Sequence, residues 1–91
     1  MEVRFYATLR DVVGSRAVEI DVGPSATVGE LLARLFERFP NLKPRVMDEA
    51  GELRRSVNVF INGRMVRHLD GLDTRLQAND EVAIFPPVAG G

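Results

Sequence analysis

Thr27-Val28-Gly29-Glu30-Leu31-Leu32-Ala33-Arg34-Leu35-Phe36-Glu37-Arg38-Phe39-Pro40 is the stretch that decides the fold. Val28, Leu31, Leu32, Leu35, Phe36 and Phe39 recur at the i, i+3, i+4, i+7 spacing of one buried helical face. Thr27 is a good N-cap, and Glu30 three residues on makes a capping box with it. Pro40 ends the helix, because the residue before a proline avoids the α region. Arg34, Glu37 and Arg38 fall on the solvated side. No other segment reads as a long helix, so the apolar face must be buried against strands.

Strand patterns lie on both sides of it. Glu2 to Ala7 alternate, with Val3, Phe5 and Ala7 facing one way and Glu2, Arg4 and Tyr6 the other. Leu9 to Ser15 read as a connection in which Gly14 can take a positive φ. Ala17 to Val22 alternate again, and the short connection implies an antiparallel pair. After the helix, Asn41 to Arg55 is harder to place. Pro44 to Met47 fit a short helical turn, and Asp48 to Glu52 an exposed loop. Val57, Val59 and Ile61 alternate with Asn58 and Phe60. Asn62-Gly63 is a strong hairpin signal, with Arg64 to Arg67 as the return strand. Leu69 to Gln77 hold a helical turn, and Glu81 to Phe85 form the last strand.

The order is β-β-α-β-β-β. One helix covers one face of a sheet, the face bearing Val3, Phe5, Val18, Ile20, Val59, Ile61, Val82 and Ile84. The expected class is an α+β two-layer sandwich in one domain of 91 residues. The hydrophobic fraction of 45% and charged fraction of 27% fit a soluble globular protein. A net charge of −1 points to neither nucleic acid nor an anionic membrane as partner. No run is long enough to cross a membrane, and no signal segment opens the chain. A cytoplasmic location follows by default. With no cysteine and only His68, which lies in a polar stretch with Arg67 and Asp70, a zinc site is excluded. No catalytic triad and no phosphate-binding glycine loop is visible, so the chain is expected to catalyse nothing alone.

The sequence closes on Asp80-Glu81-Val82-Ala83-Ile84-Phe85-Pro86-Pro87-Val88-Ala89-Gly90-Gly91. This reads as a strand continued into an extended arm, residues 86–91. Pro86 and Pro87 hold φ near the extended value. Gly90 and Gly91 carry no side chain and let a terminal carboxylate enter a narrow channel.

That segment, Phe5-Tyr6-Ala7-Thr8-Leu9-Arg10-Asp11-Val12-Val13-Gly14, and Val57-Asn58-Val59-Phe60-Ile61-Asn62-Gly63 together resemble the MoaD/ThiS family. These are ubiquitin-like β-grasp proteins, and at finer grain the chain resembles the small, sulfur-carrying subunit of molybdopterin synthase. The resemblance implies a mixed sheet of four to five strands packed on one main helix. A free α-carboxylate has a pKa of about 3.3 to 3.7 and is a poor electrophile at neutral pH. The resemblance implies that an E1-like enzyme uses ATP to adenylate Gly91, and that a sulfur donor converts it to a thiocarboxylate. The large synthase subunit, in a heterotetramer, would then receive Gly91 and Gly90 with the arm Pro86, Pro87, Val88 and Ala89. There the sulfur would attack a pterin precursor. No bound cofactor or metal is implied. The stretch from Lys43 to Arg55 is longer than in compact members of the family.

Alternation puts Phe60 and Phe85 on the face away from the helix. The β-grasp resemblance, in which the third and last strands are neighbours, implies that they meet there, with Tyr6 and Arg4 nearby on the first strand, as a docking surface. The alternative is that Lys43 to Arg55 folds back over them. Other readings of the chain are a ubiquitin-like modifier joined through Gly91 to lysines, a sulfur carrier for thiamine or tRNA thiolation, and a binding module whose glycines are incidental.

Overall fold

The computed structural model describes residues 1–87. Five strands form one sheet: β1 Glu2–Phe5, β2 Ala17–Glu19, β3 Asn58–Ile61, β4 Arg64–Met65 and β5 Val82–Phe85, in the spatial order β2-β1-β5-β3-β4. The β1–β2, β3–β4 and β3–β5 pairs are antiparallel, whereas β1–β5 is parallel. Three α-helices accompany them: α1 Thr8–Val13, α2 Val28–Arg38 and α3 Lys43–Val46.

Helix α2 forms where its apolar period requires it. Thr27 Oγ1 accepts from the Glu30 amide at 3.2 Å, which makes half of the expected capping box. Phe39, just before Pro40, leaves the helical region at φ −128° and ψ 78°. Val28, Leu31, Leu32 and Leu35 are fully buried, while Phe36 and Phe39 lie at the rim of the core. They pack on the sheet face bearing Val3, Phe5, Val59, Ile61, Val82 and Ile84, all buried. Every described buried side-chain polar atom has a partner, so this is an apolar core without an orphaned group.

Several local expectations are corrected. Leu9 to Ser15 are not merely a connection, because Thr8–Val13 form α1, closed by Gly14 at φ 83°. Only Leu9 of that helix is buried, and six residues cannot show a helical period. Ala7 does not continue the buried side of β1: it is exposed at φ 51° and turns the chain into α1. Strand β2 ends at Glu19, not Val22. The return strand after Asn62-Gly63 stops at Met65, and Val66–His68 become a 3-10 turn that buries Val66. Gly71–Asp73 form the helical turn expected between Leu69 and Gln77.

Residues 43–55 do not cover the open face. Leu42 and Val46 enter the core, and Met47 bridges Leu53. Between them Asp48 Oδ1 accepts from the amides of Ala50 and Glu52 at 2.9 and 3.0 Å, which makes the segment a tight turn. Arg54 Nε ties it to the Pro44 carbonyl at 2.8 Å. The segment therefore lies along the helical layer and leaves the other side of the sheet bare.

Candidate functional site

The bare side is built by strand alternation. Val3 and Phe5 point to α2, so Arg4 and Tyr6 point away. The register pairs Phe60 with Ala83 and Asn58 with Phe85, which sets Phe60 and Phe85 on neighbouring strands of that same side. The Phe85 ring stacks on Tyr6 with centroids 4.1 Å apart and planes at 7°. Phe60 meets Phe85 edge to face at 5.4 Å and 82°. All three residues are half-buried. Each such contact is worth about 0.5–1.5 kcal/mol beyond area burial, so the rings hold one another in place.

These rings floor an open concavity of about 870 Å³, with Arg4 at one side and Pro86 and Pro87 at the exit of β5. Pro86 is buried and Pro87 exposed, so the chain leaves the body after Pro86. Arg4 is exposed, and its Nε donates to Glu2 Oε1 at 2.8 Å. That hydrogen bond, with the charge of Glu2, holds the guanidinium above its ordinary pKa. Val88, Ala89, Gly90 and Gly91 lie outside the described residues.

Two supporting residues were not singled out by sequence reasoning. The Arg10 guanidinium lies over Tyr6 at 5.4 Å from the ring centroid, and its Nε donates to the Phe5 carbonyl at 3.0 Å. The missed signal was α1: a helix opening at Thr8 turns Arg10 back over Tyr6. The second is Asn62, read only as a turn residue. Asn62 and Gly63 take φ of 50° and 81°, as a type I′ hairpin needs. The Asn62 amide group also donates to Asp80 Oδ1 at 2.8 Å, and its oxygen accepts from the Glu81 amide at 2.9 Å. It pins the entry of β5 to the β3–β4 turn.

Among the described residues no cluster of His, Cys, Asp or Glu is arranged to hold a metal. None of the described helices is long and apolar enough to cross a membrane. What the face offers is an apolar aromatic surface at the root of the final segment.

The ThiS family model matches residues 3–91. This chain belongs to the ThiS family. Its members include MoaD-type proteins, and the fold is the ubiquitin-like β-grasp of that group of sulfur carriers. Small archaeal modifier protein 3 of Haloferax volcanii is 46% identical over 91 residues, covering 100% of this chain and 98% of the relative. The crystal structure of SAMP1 from Haloferax volcanii superposes with a TM-score of 0.89 at 42% identity, covering 99% of this chain and 97% of that one. The molybdopterin synthase sulfur carrier subunit of Chlamydomonas reinhardtii is 29% identical over 91 residues, covering 100% of this chain and 98% of the relative. The family expected from the sequence is thus the one found. Small archaeal modifier protein 3 is more similar to this chain than that molybdopterin synthase subunit is.

Proposed function

We propose that this protein is a carboxyl-terminal acyl carrier. An E1-like enzyme adenylates Gly91 with ATP, and a sulfur donor converts the adenylate to a thiocarboxylate. The aromatic face of Tyr6, Phe60 and Phe85 docks the enzymes that act on the arm. The observation that carries this reading is the position of that face. Three interlocked rings are left uncovered where β5 hands over to Pro86 and Pro87. A partner gripping the rings holds the root of the arm, which reduces the entropy lost when Gly91 enters its channel. Arg4, Val88, Ala89 and Gly90 would border the same contact. The chain itself supplies the carboxyl group and the docking surface, while the catalytic groups belong to its partners.

For the sulfur, the acceptor we propose is a pterin precursor held by the large subunit of molybdopterin synthase, two small and two large subunits forming the working complex. Full-length similarity to a molybdopterin synthase sulfur carrier subunit supports it. A second reading has a specific observation in its favour. The relative at 46% identity is named a modifier, which supports attachment of the same activated Gly91 to protein lysines. Both uses share the adenylate and differ only in the nucleophile that resolves it. We propose a cytoplasmic setting for the protein.

The test is the intact mass after incubation with ATP, the adenylating enzyme and a sulfide donor. The expected result is the gain of one sulfur for one oxygen, localised to Gly91. No gain, alongside a control carrier that is loaded normally, sinks the sulfur-carrier reading. Recovery of Gly91 on cellular lysines, against sulfur transfer to a pterin by the reconstituted large subunit, separates the two acceptors.

A further inference from the structure

Of the twelve basic side chains in this sequence, eleven are arginine, and Lys43 is the one lysine. For a protein whose own carboxyl becomes an acyl adenylate, that choice has a chemical consequence. An acyl adenylate is open to attack by any amine or thiol on the surface that presents it. Arginine keeps its charge without becoming a nucleophile, since its guanidinium stays protonated. Cysteine is absent from the sequence. The cations beside the aromatic rings are Arg4 and Arg10. The surface around the root of the arm therefore offers charge without an amine.

Lys43 stands elsewhere. It is exposed and borders a small apolar hollow with Phe36, Met47 and Leu72 on the helical side of the molecule. The sheet separates that hollow from the aromatic face. Among the described residues no hydrogen bond or ion pair engages the Lys43 ammonium. The amino nitrogen of Met1 is differently placed. It donates to Glu19 Oε2 at 2.9 Å and to the Ile20 carbonyl at 3.1 Å, and the Met1 side chain is 4% exposed.

We propose that Lys43 is the acceptor when this protein is joined to another copy of itself, so that its chains have one linkage type, Gly91 to Lys43. This rests on the activation of Gly91 proposed above. The neutral Lys43 Nζ of one copy attacks the carbonyl carbon of the other copy's Gly91 adenylate. The C–N bond forms, the C–O bond to the phosphate breaks, AMP leaves with the electron pair, and the surplus amine proton passes to water. Because Lys43 lies behind the sheet, each linked copy keeps its aromatic face open for the next enzyme. Arginine at every other basic position confines growth to a single unbranched chain.

The experiment uses the full chain and its Lys43→Arg variant, each incubated with the adenylating enzyme and ATP without sulfide. Pyrophosphate exchange records adenylation independently of any linkage. The expected result is exchange by both proteins. Only the parent should form a species of two chains less one water. In its arginine-cleaved digest the peptide Phe39–Arg45 should carry Leu76–Gly91. An adduct in the variant, an adduct mapped to Met1, or normal exchange by the parent without any adduct would each overturn the proposal. Absence of exchange by both proteins, with a control carrier active, would overturn the activation reading and this inference with it.

Discussion

Val59 and Phe60 are adjacent in β3 and face opposite sides of the sheet, so truncating each to alanine should separate folding from docking. Val59 is 1% exposed, in the core under α2. Val59→Ala removes two buried carbon groups at about 0.8 kcal/mol each. A cavity term adds about 1 kcal/mol, for a loss of roughly 2.5 kcal/mol. Phe60 is half-buried and touches Phe85 edge to face at 5.4 Å. Phe60→Ala forfeits that contact, about 0.5–1.5 kcal/mol. Part of the burial of the ring, about 1 kcal/mol, is lost with it. Both losses lie within the roughly 5–13 kcal/mol expected for a domain of this size, so both variants stay folded at low temperature. At about 4–8 °C per kcal/mol, Phe60→Ala should lower the thermal midpoint by roughly 6–20 °C and Val59→Ala by roughly 10–20 °C. Binding should rank the other way. An aromatic anchor at the centre of an interface is worth at least about 2 kcal/mol, so Phe60→Ala should weaken affinity for the adenylating enzyme by roughly 30-fold or more. Val59→Ala should bind like the parent. Calorimetric titration near 10 °C, with folding checked by circular dichroism, measures both. Parent-like affinity in Phe60→Ala, or a tenfold loss in folded Val59→Ala, would refute docking through the aromatic face.

Other expectations concern single local features. Thr27→Ala removes the oxygen that accepts from Glu30. It should cost about 1 kcal/mol and lower the midpoint by several degrees without changing adenylation. Ala7 sits at φ 51° with no side chain that needs that conformation. Ala7→Gly should release part of a strain of about 1–3 kcal/mol and raise the midpoint, and a lower midpoint would count against the strained turn. Neutralising the exposed Glu2–Arg4 pair with Glu2→Gln should change the midpoint negligibly, as a solvated ion pair contributes little. Gly91→Ala should fold normally yet lose roughly tenfold or more in pyrophosphate exchange, the equivalent of about 1.4 kcal/mol of misfit in a confined channel. Undiminished exchange would remove the steric reason for the final glycine.

Those residues differ in how readable they were. Phe60 and Phe85 could be placed on the open face because a two-residue period fixes the side once the core partner is known. Helix α2 was equally readable, as its eleven residues repeat the apolar spacing several times. Helix α1 was not, because six residues with one buried position carry no period. Its loss concealed Arg10, whose contact with Tyr6 exists only when Thr8–Val13 coil. The β1–β5 pairing is parallel and joins the two ends of the chain. No local pattern encodes it, and the resemblance to the β-grasp fold implied a mixed sheet without naming this pair. The turn at Asp48–Glu52 read as a loop because its order comes from one carboxylate serving two amides.

The position of β5 gives the site its mechanical logic. It is the last strand in sequence but the central one in space, paired on both sides by β1 and β3. Val82 and Ile84 are buried beneath it, and Asn62 fixes its entry through Asp80 and Glu81. An arm that continued an edge strand would be rooted in the part of a sheet that opens most easily. Here, pulling on the arm loads the most fully paired strand of the molecule. In the proposed docking, Phe85 couples the strand to the partner. It is the final strand residue, held between Tyr6 from β1 and Phe60 from β3. A partner that packs on these rings therefore grips all three central strands and fixes the direction in which Pro86 and Pro87 leave. On the proposed reading, the same sequence position ends the sheet, starts the arm and anchors the interface. This economy leads to a last expectation. Phe85→Ala should lose both Tyr6 and Phe60 as neighbours, and so impair docking more than Phe60→Ala does. It should also cost more stability, because two aromatic contacts of about 0.5–1.5 kcal/mol each go together. If the two variants bound the adenylating enzyme equally well, Phe85 would be a strand residue only, and the link between sheet and arm would have to run through the prolines.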